Sequence, residues 1–197
     1  RTDSGVHAIE QSAHFDCKKE IKNHQIFLKS ANYFLNKNLI SILNIKKRKY
    51  PFHARHSAKM RSYLYVVCNR ASPTSLNKDK VWHLKKKLNI NLIKKGAKKL
   101  IGTHDYATFR SSSCTAKSSI RTIKNFTVTK SKETIKIRVK SRSFLQQQVR
   151  SMVGCLKYLA EEKWSLKYFE KVFKLKKRSL CAPPAPSCGL FLEKVTY

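Results

Sequence analysis

Three consecutive pieces, TIKNFTVT (Thr122–Thr129), KSKE (130–133) and TIKIRVKSR (Thr134–Arg142), decide the fold class. In the last piece Ile135, Ile137 and Val139 alternate with Lys136, Arg138, Lys140 and Arg142. That period of two buries one face of a strand and leaves the other as a basic row. Two strands joined by so short a link pair antiparallel. The basic row fits either an RNA-facing stripe or an ordinary solvated face.

Working outward, Tyr63, Tyr65 and Val67 alternate with Leu64, Val66 and Cys68, predicting a strand from Arg61 with both tyrosines on one face. Leu190 to Tyr197 reads as a final strand, Leu39 to Ile45 as another, and Val6 to Phe15 as an extended run leaving the N-terminal turn. Helical spacing marks Ile26 to Asn36, Leu92 to Ile101 with Gly102 as its C-terminal cap, and Gln147 to Ala160. A further helix at Leu166 to Phe173 is capped by Ser165. His104 to Arg110 leads into Ser111-Ser112-Ser113 as a surface-like segment, and Pro183-Pro184-Ala185-Pro186 ends regular structure. The pattern predicts an α+β fold, a mainly antiparallel mixed sheet with helices packed on one side.

Composition narrows the partners. The 197 residues carry 43 Lys and Arg against 11 Asp and Glu, a formal net charge of +32. Such a field attracts polyanions, nucleic acid first among them. Lysine pairs such as Lys86-Lys87 and Lys98-Lys99 read as solvated helix faces, and the scarcer arginines near the motifs are better phosphate ligands. Six cysteines without a C-x-x-C pair indicate neither a zinc site nor a disulfide framework, and suit a reducing cytoplasm. No apolar run approaches the ~20 residues of a membrane span.

In so basic a chain, Arg1-Thr2-Asp3-Ser4-Gly5-Val6-His7-Ala8 places a scarce carboxylate in a Ser-Gly turn. By itself Asp3 fits an Asx-turn. The octapeptide, however, resembles the G-R-T-D-[AS]-G-V-H-A motif of the TruA-type tRNA pseudouridine synthase family. Three further blocks resemble that family in the same order: Phe52-His53-Ala54-Arg55 with Arg61-Ser62-Tyr63-Leu64-Tyr65; Ser143-Phe144-Leu145 with Val149-Arg150-Ser151-Met152-Val153-Gly154; and Ala182-Pro183-Pro184 with Gly189-Leu190-Phe191-Leu192. Gln148 stands where the family usually has Met, and Asn36-Lys37-Asn38 replaces a Leu-Pro-containing turn. Family members also carry a strand and helix ahead of the Asp motif, so the resemblance implies that an N-terminal strand and helix are missing here.

The resemblance implies an isomerase that needs no cofactor or metal and acts on tRNA uridines at positions 38 to 40 of the anticodon stem-loop, as a cytoplasmic homodimer. It implies that Asp3 is the catalytic carboxylate, either adding to C1′ or removing the 2′ proton, that Arg150 pairs with it, and that Tyr63 stacks on the target base. Arg1 is the natural clamp for the flipped nucleotide, with His53, Arg55 and Arg110 as further RNA contacts. Residues 1–58 then form the remainder of an N-terminal half carrying the Asp loop and 59–197 the C-terminal half, both sharing one cleft. A related synthase with another RNA target, or a catalytically impaired basic RNA-binding fragment, fits the same pattern.

Overall fold

A computed structural model describes residues 2–197, and they divide into two compact units, 2–12 with 58–197, and 13–57. The larger unit is α+β, built on a seven-stranded sheet whose pairing is mostly antiparallel. Its strands are β1 (His7–Ala8), β2 (Met60–Asn69), β3 (Trp82–Leu84), β4 (Gly102–Asp105), β5 (Ile120–Ser131), β6 (Thr134–Ser141) and β7 (Leu190–Thr196). They run in the order β1-β7-β2-β6-β5-β4, with β3 beside the end of β2; β1 against β7 and β3 against β2 are parallel.

The hairpin quoted first is the β5–β6 pair. Ser131 pairs with Thr134, so the link tightens to Lys132-Glu133, with Lys132 at φ +50°. Tyr65 lies opposite Ile137 on one side and Leu190 on the other, and Val67 lies opposite Ile135. These side chains share one face, and the core is built on it with Phe126, Val128 and Val139. Three helices, α2 (Ile90–Lys99), α3 (Gln148–Ala160) and α4 (Leu166–Lys174), supply the rest of that core through Ile93, Leu156 and Phe169 among others. Ser165 caps α4 by accepting the Tyr168 N–H at 3.1 Å, as its residue type predicts. On the opposite face Lys136 and Lys140 are exposed, whereas Arg138 pairs with Glu193 at 2.7 Å.

Several expectations change. The run predicted over Val6 to Phe15 pairs only at His7 and Ala8, plus one bond from the Ile9 N–H to the Leu192 carbonyl at 2.8 Å. The ladder stops where β7 shifts register against β2 at Glu193, so the alternation beyond Ile9 meets no partner strand. Gly102 does not cap α2, which ends at Lys99 with Leu100 as its C-cap; it opens β4 at φ +113°. His104 to Arg110 is not surface-like, because Tyr106, Thr108 and Phe109 are fully buried. Strands β3 and β4 escaped notice because three or four residues hold too few alternations to register a period.

In the smaller unit, α1 (His24–Leu35) starts where the Asn23 side chain accepts the Ile26 N–H at 3.0 Å, and none of its residues is buried. The strand predicted over Leu39 to Ile45 is absent. Ile42 instead bonds the Asn32 side chain both ways, at 2.6 and 3.0 Å, which satisfies its backbone without a ladder.

No helix among the described residues is long and apolar enough to cross a membrane.

Candidate active site

Asp3 begins a tight turn closed by the Val6 N–H on the Asp3 carbonyl at 3.2 Å. Gly5 holds φ +74°, which an L side chain rarely adopts, and a Cβ there would lie 2.7 Å from Ser187 Oγ. The turn therefore needs Gly5 twice, for its dihedral and for its contact with the 3-10 turn at Ser187–Gly189. From this turn the chain enters β1, and the His7 ring stacks on Phe191 at 4.9 Å while its Nε2 meets the Asp79 carbonyl at 2.8 Å.

Arg150 arrives from the first turn of α3. Its Nη1 is 3.0 Å from Asp3 Oδ2, with the two side chains only 15% and 27% exposed. At such partial burial an ion pair is screened less than at the surface, and the hydrogen bond fixes the carboxylate's orientation. The guanidinium is itself held, because Nε donates to the Ala185 carbonyl at 2.7 Å and the Ala185 N–H donates back to the Arg150 carbonyl at 3.0 Å. Ala185 lies in the proline-rich segment after Cys181, which runs along α3 so closely that a Cβ on Gly154 would sit 2.1 Å from the Pro183 carbonyl oxygen.

Tyr63 lies on β2 with its ring edge-on to Phe144 at 5.2 Å. Burial pushes its phenol above the usual range; Arg61 opposes that shift, and the Asp3 carboxylate adds to it. The phenol is a neutral hydrogen-bonding group at ordinary pH. Tyr65, two residues on, is fully buried and donates its hydroxyl to the Pro186 carbonyl at 2.8 Å. A carboxylate, a guanidinium and a neutral phenol thus come from three elements that are distant in sequence. They offer a nucleophile or base, its orienting cation and an apolar wall.

The other expected contacts are placed differently. Arg110 is turned onto the Cys114 carbonyl in its own loop. His53 and Arg55 belong to the smaller unit, where the His53 ring lies 4.3 Å from His14 and 4.4 Å from His56, and its Nδ1 accepts the Arg55 N–H at 3.1 Å. Arg1 lies outside the described residues. Sequence reasoning missed Ala185, Ser187 and Phe144 as supports. Ala185 and Ser187 act through a carbonyl or a packing contact; the motif blocks flanking them were the available signal.

A family model described as tRNA pseudouridine synthase matches residues 97–197. A tRNA pseudouridine synthase A from Pelagibacter ubique (strain HTCC1062) is 64% identical over 197 residues, all of this chain and 80% of the relative. Proteins of the same description from Bartonella tribocorum (strain CIP 105476 / IBS 506) and Maricaulis maris (strain MCS10) are 42% and 37% identical. Each is matched by the whole of this chain, over 80% and 79% of its own length respectively.

Proposed function

This chain belongs to the tRNA pseudouridine synthase family, a family of isomerases, and from that premise we propose that Asp3 is its essential carboxylate and that it acts on uridines 38 to 40 of the tRNA anticodon stem-loop. The observation that carries the reading is the Asp3–Arg150 pair beside Tyr63. The reaction breaks the N1–C1′ bond of uridine, turns the detached uracil and joins C5 to C1′, with one proton leaving C5 and one arriving at N1. With Oδ2 held by Arg150, Asp3 presents its other oxygen either to C1′ as a nucleophile or to the 2′ proton as a base. Tyr63 is the wall on which the loosened base stacks, and its neutral phenol lies within the group that handles the C5 proton.

A uridine stacked in a stem cannot offer C1′ and C5 at once, so the nucleotide flips out before reaction. The 43 Lys and Arg residues supply the attraction for the tRNA backbone, with Arg1, Arg55, Arg110 and His53 as proposed local contacts, and a homodimer is the proposed assembly. The test uses unmodified tRNA tritiated at uracil C5. Wild-type protein releases tritium at uridines 38 to 40, and Asp3→Asn binds the tRNA equally well but releases none. Release that persists in Asp3→Asn overturns the catalytic assignment, and modification mapped elsewhere overturns the target.

A further inference from the structure

Alongside the site runs a seam that carries two thiols the isomerisation does not use. The segment from Arg178 to Pro186 lies along one face of α3, joined to it at successive points. Arg178 Nη1 donates to Ser151 Oγ at 2.9 Å. Cys181 Sγ lies 3.4 Å from Cys155 Sγ. The Pro183 carbonyl presses on Gly154, and Ala185 exchanges hydrogen bonds with Arg150. Ser151 and Cys155 are four apart and share one helix face, so the contacts form a single seam whose far end grips the guanidinium paired with Asp3.

The two thiols are unequal. Cys155 is buried, and Cys181 is partly exposed. The hydrogen bond from Cys155 holds the Cys181 thiol below the usual range, with Arg178 adding to that effect. The same contact, together with burial, pushes Cys155 up. Cys181 is thus the sulfur that solvent reaches, and Cys155 waits beside it as the resolving partner.

We propose that Cys155 and Cys181 are a redox pair that closes to a disulfide under peroxide and staples the 178–186 segment to α3. The Cys181 thiolate attacks hydrogen peroxide, the O–O bond breaks, hydroxide leaves and Cys181 becomes a sulfenic acid. Cys155 then attacks the sulfenyl sulfur, forming the S–S bond as the S–O bond breaks. The Cys155 proton leaves with that oxygen as water, so two thiols and one peroxide give a disulfide and two waters. Reaching a normal bond length requires the sulfurs to approach by about 1.4 Å from their present 3.4 Å.

The full 197-residue chain is treated with equimolar hydrogen peroxide, quenched with N-ethylmaleimide and mapped after trypsin digestion. The expected result is a loss of two hydrogens, two fewer alkylated thiols, and a dithiothreitol-sensitive link between peptides 151–157 and 179–194. Cys188 shares the second peptide, so the Cys188→Ser variant must still form the link and Cys181→Ser must not. Closing the loop between positions 155 and 181 should raise Tm by roughly 5–10 °C. Oxidation of Cys181 that stops at sulfinic acid, full alkylation of both thiols, or a link to Cys188 overturns the pairing. A lower Tm in the linked protein overturns the staple.

Discussion

Replacing Gly154 with alanine separates two descriptions of α3 by the sign of a single measurement. In a helix whose outer side is open, Gly→Ala stabilises by about 1 kcal/mol through backbone entropy. Here the added methyl would stand 2.1 Å from the Pro183 carbonyl oxygen, where ordinary contact begins at 3.4 Å, so the opposing backbone must retreat by about 1.3 Å. That retreat stretches the bond from the Ala185 N–H to the Arg150 carbonyl and the one from Arg150 Nε to Ala185, now 3.0 and 2.7 Å, beyond useful length. The neutral bond is worth about 1 kcal/mol and the charged one about 1.5–3 kcal/mol. Overpacking costs about 1–3 kcal/mol more. After subtracting the helix gain, Gly154→Ala destabilises by about 2.5–6 kcal/mol, lowering the urea midpoint by roughly 1–3 M at a typical m-value. Because the retreat also frees the Arg150 guanidinium, tritium release from C5-labelled tRNA slows as well. A midpoint that stays put or rises would refute the seam between α3 and the proline-rich segment.

Arg150→Lys keeps the charge but cannot reach Asp3 and the Ala185 carbonyl together, so turnover should fall about 100-fold with KM for tRNA within a few-fold; single-turnover tritium release checks this, and a KM effect alone contradicts it. Tyr65→Phe leaves the Pro186 carbonyl without its 2.8 Å partner and should cost about 1–2 kcal/mol in urea unfolding, whereas a change within error would mean that the bond contributes nothing. Burial raises the phenols of Tyr63, Tyr65 and Tyr106 above their usual range. Raised folded-state values confer stability that is complete below about pH 10 and is lost as pH climbs toward the folded values. The stability advantage of wild type over Tyr106→Phe should therefore shrink between pH 8 and pH 11, and a constant difference would contradict the burial argument.

The elements legible in the sequence share a physical character. Strands β2, β5 and β6 span eight to twelve residues with one face buried, so their period survives local noise. Helix α4 was legible because Ser165 stands directly before an apolar stripe. What failed was pairing. The stretches over Val6 to Phe15 and Leu39 to Ile45 alternate as strands do, yet alternation records which side a residue faces and not whether another strand lies beside it. Tyr106 and Phe109 sit in a polar neighbourhood of chain, and their full burial depends on Phe173, more than sixty positions away.

The same division runs through the site. Residue types and motif order alone, without tertiary structure, were enough to single out Asp3, Tyr63 and Arg150 and to set them in a chain whose charge suits a polyanion. Tertiary structure decided what each is attached to: Asp3 to a guanidinium 147 positions away, and that guanidinium to the backbone of Ala185. Those attachments run through carbonyls, a glycine contact and a sulfur pair, none of which has a sequence signature of its own. A backbone carbonyl is present at every residue, and only the packing of the 178–186 segment against α3 makes the one at Ala185 a support for Arg150.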